Sequence, residues 1–325
     1  MTPEQTRYIH DHYRSIKKDS AYENSFLLMV GYEIPNGDKF ETHWDPILVS
    51  YEDGFPYQPQ KISQGHYVPK DKGLNVSWCH SQNASYSRIF GRGKLSNELT
   101  EKNILVIGTG AIGSALFMSL VRGGCKNMEI TEPDTIEPGN ICRGHFSFLQ
   151  AGKLKVVELY QLARDTSPYI NIKLGLGITA MSMENSKFSG LKERLSKFDY
   201  IFDCSTDKYL SIMLDSMQLP RNVINLSISN EANHMAIITG VGNIHLIKSS
   251  LFDRLSPGKT EPFFVATGCW HPTFKASYTD INVLLMYALN EINQRMERNI
   301  AINSFYISKS IAQNASLTYQ ICYDV

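Results

Sequence analysis

Three glycines with the spacing G-x-G-x-x-G, at Gly108, Gly110 and Gly113, lie between the apolar runs ILVI and SALFMSLV. In a strand–turn–helix unit the first glycine permits the turn, the second lets the backbone approach a phosphate, and the third packs the helix on the strand. The helix N-terminus then offers free N–H groups and the positive end of its dipole to an anion. The spacing predicts a nucleotide site, and a tight turn without a ligand is the alternative.

An acidic residue, Glu132, ends the next predicted strand, 24 residues after Gly108. A carboxylate at this position accepts hydrogen bonds from the hydroxyl groups of a ribose. Redox dinucleotides and ATP both contain a ribose, so Glu132 does not distinguish between them. A solvated carboxylate at the end of a strand is the alternative interpretation.

Polar and basic side chains follow this strand, on a loop and at the start of the next predicted helix: Asn140, Arg143 and Lys155. Ligands of such sheets bind at the C-terminal ends of the strands. A hydride-transfer enzyme needs no second set of phosphate ligands there, whereas an enzyme that breaks a triphosphate gains from cations near the α-phosphate and the leaving pyrophosphate. Taken singly, Arg143 could pair with Glu137 or Asp134, and Lys155 could lie on a solvated helix face. Their occurrence together favours a triphosphate that is cleaved.

The elements that must position these residues alternate between strands and helices, which is typical of a Rossmann-like α/β fold with a mostly parallel sheet and helices on both faces. Strands are predicted at residues 104–107, 128–131, 170–178, 199–205 and 222–228, and an antiparallel strand at 235–241. Helices with an apolar stripe are predicted at residues 154–164 and 279–298. This domain is expected to cover residues 86–325.

A smaller α+β unit is predicted for residues 1–85. Its expected elements are a helix over the first twenty residues, strands at 26–34, 39–44 and 45–51, a turn at 35–38 and a proline-rich loop at 54–60. Residues 60–95 are polar and irregular, which predicts a connection. The meander and the GFPYQP turn resemble the opening half of a ubiquitin-conjugating domain, although the pattern that flanks a conjugating cysteine is missing around Cys79. We expect residues 1–85 to dock the protein substrate or a partner.

The composition argues against several classes of protein. Thirty-two basic residues balance thirty-two acidic ones, so a nucleic-acid or anionic-membrane partner is not favoured. The first residues are polar and lack the apolar segment of a secretory signal, and glycines interrupt the long uncharged run Asn103–Val121. Six cysteines without a CxxC pair predict neither a zinc ribbon nor a dithiol motif, and a cytoplasmic location is expected. Four of them are predicted to lie in the core: Cys125, Cys142, Cys204 and Cys322.

The motifs over residues 86–295 resemble those of the adenylating enzymes that include ThiF, MoeB and the ubiquitin-activating enzymes. That family combines G-x-G-G-x-G, a strand ending in D-x-D, S-N-x-x-R-Q, and G-x-x-K on the next helix. This chain has GTGAIG, EPD at 132–134, GNICRG, and GKLK at 152–155. YSR at 86–88 is similar to the family's Y-x-R-Q. Through SRIFGRGKLS, GAIGSA and EPGN the chain looks especially like the activating domains of bacterial ubiquitin-like conjugation systems.

The resemblance implies a homodimer that binds ATP and Mg²⁺ and adenylates the C-terminal carboxylate of a ubiquitin-like protein, with a ubiquitin-conjugating-like protein as a further partner. It adds Asp134 to the nucleotide-binding set and implies that Arg88 enters the ATP site of the second subunit. Asp207 would carry Mg²⁺, with Asp203 as the second choice and a helix N-cap as the alternative role of Asp207. Cys269 would take the acyl group as a thioester, and a buried structural cysteine is the alternative there. No structural zinc is expected.

The chain departs from the family pattern in several places. Ala111 stands where the family has a second consecutive glycine, and Gly144 replaces the glutamine after the arginine. The segment from Asp203 to Asp207 is one residue longer than the family's D-x-T-D-N, with Lys208 in place of asparagine. Three alternatives therefore stay open: adenylation of a peptide or sulfur carrier without a thioester, an inactive scaffold, and a nicotinamide-dependent oxidoreductase.

Overall fold

The computed structural model describes residues 25–51, 60–63, 66–68, 74–175, 177–178, 186–219, 223–240, 242–255 and 275–325. These residues fall into two units, which separate between Arg88 and Ile89. The predicted helix over the first twenty residues and the predicted loop at 54–60 lie outside the described residues, except for Gln60. No helix among the described residues is long and apolar enough to cross a membrane.

The first unit contains antiparallel ladders. Its strands are β1 (Ser25–Asn36), β2 (Lys39–Tyr51), β3 (Gln60–Ser63), β4 (His66–Val68) and β5 (Leu74–Trp78). They pair in the order β1-β2-β5, with β3 on β4. Gly37, in the turn between β1 and β2, has a φ of +62°, a left-handed backbone that favours glycine. The predicted strand at 26–34 is confirmed. The connection predicted over 60–95 is wrong where β3, β4, β5 and a short helix, Tyr86–Phe90, lie.

One predicted strand boundary in this unit is also wrong, because residues 39–51 form a single strand that passes through Pro46. The carbonyl of Pro46 accepts a hydrogen bond from Cys79 N at 2.9 Å, just beyond Ile47–Trp78, the last pair of the β2–β5 ladder. The nitrogen of a residue in a strand faces the same side as its carbonyl. The N–H that proline lacks is therefore missing only where that ladder ends, which a strand tolerates.

The second unit contains an eight-stranded sheet. Its strands are β6 (Asn103–Ile107), β7 (Asn127–Thr131), β8 (Asn171–Gly175), β9 (Tyr200–Asp203), β10 (Val223–Ile228), β11 (His234–Thr239), β12 (Phe305–Ile311) and β13 (Leu317–Cys322). The order is β13-β12-β11-β10-β9-β6-β7-β8. Strands β6 to β10 are parallel and β11 to β13 are antiparallel. The predicted α/β fold class and the antiparallel setting of β11 are confirmed.

Helices cover both faces of this sheet. The helices of the described chain are α1 (Tyr86–Phe90), α2 (Asn97–Thr100), α3 (Ala111–Arg122), α4 (Lys155–Thr166), α5 (Ser186–Leu195), α6 (Lys208–Ser216), α7 (Ile244–Leu255) and α8 (Tyr278–Glu297). Ile104 and Val106 of β6 pack with α3, α4 and α8 on one face, while Leu105 and Ile107 pack with α5, α6 and α7 on the other. A parallel strand buried on both faces reads as a continuous apolar run, as ILVI does.

The cysteine predictions are only partly correct. Cys125 and Cys204 are buried, and Cys322 is half-buried. Cys142, predicted in the core, is exposed. It lies in the turn after a short 3-10 helix, Pro138–Asn140, outside the sheet and its covering helices.

The strand order places one crevice at the centre of the parallel strands. From β6 the chain continues outward through β7 to β8, then returns to β9 on the other side of β6. Ligands in sheets of this kind bind outside the C-terminal ends of the strands, where the order reverses. The glycine turn after β6 and the acidic segment after β9 therefore lie at the same crevice.

Candidate functional site

The glycine turn is held between β6 and the segment that follows β9. Gly108 has a φ of +81°, and a Cβ added to it would lie 2.9 Å from Ser205 N. A Cβ on Gly113 would lie 1.8 Å from the carbonyl oxygen of Gly108, whereas one on Gly110 would meet nothing within 4 Å. The first and third glycines are thus required by packing, and the second leaves open space where a ligand could approach the backbone.

Helix α3 begins at the end of this turn. Its N-cap is Gly110, which has no side chain to accept hydrogen bonds from the first N–H groups. These groups and the positive end of the helix dipole suit an anion. Ala111, which departs from the family pattern, is the first residue of α3 and has no positive φ, so the alanine is accommodated without backbone strain.

Glu132, at the end of β7, is connected directly to the glycine turn. Its Oε2 accepts a hydrogen bond from Thr109 N at 2.9 Å, and Gly108 N donates to Thr131 O at 3.0 Å. Sequence reasoning did not include Thr109, because its contribution is a backbone N–H that no motif encodes. These contacts fix a half-buried carboxylate beside the turn, as a ribose ligand requires.

A backbone ladder closes the loop that carries the predicted phosphate ligands. Lys155 N donates to Asp134 O at 3.1 Å, Ile136 N to Lys153 O at 2.8 Å, and Gly152 N to Ile136 O at 2.8 Å. The two stretches, 134–136 and 152–155, also form an isolated antiparallel bridge. The ladder sets the bases of the loop side by side and leaves residues 137–151 between them.

Within this loop, local hydrogen bonds fix the side chain of Asn140 and the backbone of Arg143. Asn140 Oδ1 accepts from Glu137 N at 3.0 Å, while Arg143 N donates to Asn140 O at 3.2 Å. His145 N donates to Ser114 Oγ at 3.0 Å, which attaches the loop to α3. Burial and the positive charge of Arg122 lower the pKa of His145, so this imidazole is neutral near pH 7.

Lys155 is the most distinctive cation of the site. The residue is only 8% exposed, and its Nζ lies 3.2 Å from Asp134 Oδ2. The Asp134 side chain is 66% exposed, so the carboxylate lies on the solvent side of the pair. An ammonium has three N–H donors, and among the described residues Asp134 is the only hydrogen-bond partner of Nζ.

The two aspartates near the C-terminal end of β9 differ in burial and in their hydrogen-bond partners. Asp203 is 1% exposed, and its carboxylate accepts four hydrogen bonds: Ser205 N at 3.0 Å, Ser205 Oγ at 2.7 Å, Ser211 Oγ at 3.3 Å and Asn225 Nδ2 at 2.8 Å. Asp207 is exposed and caps α6, its Oδ1 accepting from Tyr209 N at 2.8 Å and Leu210 N at 3.3 Å. Asp207 Oδ2 has no hydrogen bond within the described part of the chain.

The structure brings most of the predicted residues to one edge of the sheet. They are Gly108, Gly110, Gly113, Glu132, Asp134, Asn140, Arg143, Lys155, Asp203 and Asp207. Arg88 belongs to the first unit, and Cys269 lies outside the described residues. Burial and the neighbouring Asp203 carboxylate raise the pKa of the Cys204 thiol well above its usual range, so this thiol beside the turn is no nucleophile. No group of three or more His, Cys, Asp or Glu side chains within the described ranges could hold a metal ion.

Comparison with known proteins gives the same family as the motifs. Residues 80–217 match the model of the ThiF family. The ATP-dependent ubiquitin transferase-like protein Cap2 of Enterobacter hormaechei subsp. hoffmannii is 23% identical over 288 residues, which cover 83% of this chain and 46% of that protein. Ubiquitin-like modifier-activating enzyme 5 of Caenorhabditis elegans is 27% identical over 290 residues, which cover 79% of this chain and 65% of that protein. The chain thus spans about half the length of the first relative and just under two thirds of the second.

Solved structures show a more distant likeness. PaaA superposes with a TM-score of 0.47 at 13% identity, covering 70% of this chain and 66% of that one. E. coli MccB, crystallised with ATP, gives a TM-score of 0.45 at 14% identity, covering 69% of this chain and 64% of that one.

Proposed function

From the match of residues 80–217 to the ThiF family model, we propose that the protein uses ATP to adenylate the C-terminal carboxylate of a ubiquitin-like protein. The printed names of two relatives refer to ubiquitin transfer and to activation of a ubiquitin-like modifier. These names support a ubiquitin-like substrate over a free peptide. A cytoplasmic homodimer is part of the proposal.

A single observation carries the proposal: Lys155 is a largely buried ammonium with one carboxylate partner, at the crevice that contains the glycine turn. Burying a cation is costly unless its hydrogen bonds are completed. An anion that approaches the N-terminus of α3 would complete them. Glu132, the proposed ribose ligand, lies beside this lysine, which supports a nucleotide as the source of the anion. The phosphate chain is the anionic part of a nucleotide and would bind Lys155.

The proposed reaction is an attack of the substrate carboxylate on the α-phosphorus of ATP. A new oxygen–phosphorus bond forms, the bond from the α-phosphorus to its bridging oxygen breaks, and pyrophosphate leaves with the electron pair. Arg143 and Lys155 stabilise the charge that develops on the phosphates, and Asn140 orients them. Glu132 and Asp134 complete the proposed nucleotide-binding set, Glu132 on the ribose and Asp134 beside Lys155.

Asp207 is the residue that fits Mg²⁺. Its Oδ1 is used by the cap of α6, and its Oδ2 remains for a cation, whereas the carboxylate of Asp203 is fully hydrogen-bonded inside the protein. Mg²⁺ commonly takes one or two carboxylates and completes its shell with water and substrate phosphates. When bound, the ion would neutralise phosphate charge.

Three further parts of the proposal concern residues away from this cluster. Arg88 would act in trans, in the ATP site of the second subunit of a homodimer. Cys269 would accept the activated acyl group as a thioester, with release of AMP, for a ubiquitin-conjugating-like partner. Residues 1–85 would dock the substrate or that partner. A Cys269→Ala variant that still conjugates in the presence of its partners would remove the thioester step and leave adenylation intact.

The test of adenylation is ATP–pyrophosphate exchange with candidate ubiquitin-like proteins that end in glycine. We expect exchange in the wild-type protein and a loss of at least roughly a hundredfold in Lys155→Ala and Arg143→Ala, since each removes a preorganised cation from the transition state. Lys153→Ala is the matched control, because its exposed side chain pairs with Glu158 at 3.3 Å. Unchanged exchange in Lys155→Ala would show that the site is assigned wrongly.

A further inference from the structure

We propose that Asp134 is a positioning residue that holds the ammonium of Lys155 in place for the phosphates and does not itself contact the nucleotide. This inference rests on the proposed function, because it assumes that the anion on Lys155 belongs to ATP. It also revises the role that the family resemblance implies for Asp134.

Asp134 is joined to Lys155 through the backbone as well as through the side chains. Lys155 N donates to Asp134 O at 3.1 Å, so the backbones of the two residues are joined before their side chains meet. The side chains then close a second contact, Nζ to Oδ2, at 3.2 Å. A lysine has a flexible four-carbon stem that would otherwise sample many rotamers. The double connection restricts Nζ to one place.

The contact uses one of the three N–H donors of Lys155. The other two have no acceptor among the described residues, although the side chain is only 10% exposed. An ion pair that saturated the ammonium would compete with a phosphate. One that occupies a single donor leaves two for phosphate oxygens.

A chain of contacts links this pair to the ribose side of the crevice. Thr109 N donates to Glu132 Oε2 at 2.9 Å, and Asp134 N donates to Glu132 Oε1 at 3.4 Å. The glycine turn, the ribose carboxylate, Asp134 and Lys155 are therefore consecutive members of one network. The Asp134 carboxylate is negative and largely exposed, so direct contact with a triphosphate would be repulsive.

The experiment measures binding of Mg·ATP to the full chain by isothermal titration calorimetry, without any protein substrate. We expect Asp134→Ala to weaken binding about tenfold, the effect of losing one charge-assisted hydrogen bond that orders the lysine. Asp134→Glu should recover part of the loss, because it restores the carboxylate on a side chain that is one methylene group longer. In a Lys155→Met background, Asp134→Ala should have no further effect. Asp165→Ala, which removes an exposed carboxylate near the end of α4, is the charge-matched control.

The outcomes separate this role from the proposed function. Wild-type protein that fails to bind ATP at millimolar concentration overturns the proposed function and this role with it. Wild-type binding that is unchanged or tighter in Asp134→Ala overturns only the positioning role. A loss that persists in the Lys155→Met background means that Asp134 contacts the nucleotide itself, which also contradicts the proposal. Circular dichroism of each variant excludes loss of fold as the cause of weaker binding.

Discussion

Acidic residues lie at the C-terminal ends of both β7 and β9, beside the glycine turn. The carboxylates at the two ends differ in burial and in the type of hydrogen-bond partner. At the end of β9, Asp203 accepts hydrogen bonds from four neutral donors and has no cation as a partner in the described chain. After β7, Asp134 faces solvent and pairs with Lys155, a lysine that is more buried than itself. The same residue type thus joins elements of the protein interior in one segment and pairs with a largely buried lysine in the other.

The difference follows from where the hydrogen-bond partners come from. Asp203 takes its donors from its own segment, from α6 and from β10, so its carboxylate joins three elements. Asp134 takes one cation from the start of α4, across a ladder that leaves the side chain at the surface. A saturated buried carboxylate contributes stability and leaves no lone pair for a ligand. A buried ammonium with one partner keeps donors that a ligand could use.

The largest expected effect lies at the third glycine of the turn, beside the segment that follows β9. A Cβ at Gly113 would lie 1.8 Å from Gly108 O and 3.2 Å from Cys204 Cβ. We expect Gly113→Ala to cost about 3 kcal/mol or more in unfolding free energy, because the backbone at Gly108 would have to move. Gly110→Ala is the control: its Cβ would meet open space, so stability should change little while ATP binding weakens. Urea unfolding followed by far-ultraviolet circular dichroism measures the stability of both variants, and isothermal titration calorimetry measures their binding of Mg·ATP.

The second prediction concerns the interior acid. Asp203→Ala leaves the donors of Ser205, Ser211 and Asn225 without their acceptor in a buried position. We expect a loss of about 3 kcal/mol in unfolding free energy, since each unsatisfied buried donor is costly. Asp203→Asn keeps one acceptor oxygen and should lose less. Equal stability of Asp203→Ala and wild type in urea would contradict the contrast between the two segments.

The third prediction separates the two roles given to Asp207. Asp207→Ala removes the N-cap of α6 and should cost about 1 kcal/mol. Asp207→Asn keeps a capping oxygen but loses the charge, so stability should stay near wild type. If Asp207 holds Mg²⁺, both variants should need a higher Mg²⁺ concentration for half-maximal ATP–pyrophosphate exchange. A normal Mg²⁺ requirement in Asp207→Asn would leave the N-cap as its only role.

Sequence patterns predicted those parts of the site that depend on local backbone geometry. Gly108 and Gly113 are specified by a left-handed φ and by a contact within six residues of chain. The strand ILVI is specified by burial on both faces. The motif after β7 likewise identified Lys155 at the first residue of a helix. Each of these features depends on residues that are close together in the chain, and sequence spacing can predict such local geometry.

The remaining features depend on partners that are distant in the chain. The saturation of Asp203 depends on Asn225, 22 residues away on a neighbouring strand, and nothing around Asp203 encodes it. The pairing of Asp134 with Lys155 depends on a ladder across the intervening loop. Pro46 predicted a break between two strands. A single strand tolerates this proline because the neighbouring strand β5 stops pairing beside it, which the local sequence does not show. Such features follow from topology, which a single sequence does not display.

The smallest expected effect on stability belongs to the residue with the proposed positioning role. Asp134→Ala removes an ion pair whose carboxylate is 66% exposed, and exposed pairs contribute about 0–1 kcal/mol because water screens them. Its unfolding free energy in urea should therefore lie within about 1 kcal/mol of wild type. A loss as large as that of Asp203→Ala would mean that Asp134 supports the fold as Asp203 does, and the contrast between the two segments would disappear. A small loss with a clear reduction in ATP binding would assign the two acids to different tasks, since only one of them then acts through a cation that a ligand can share.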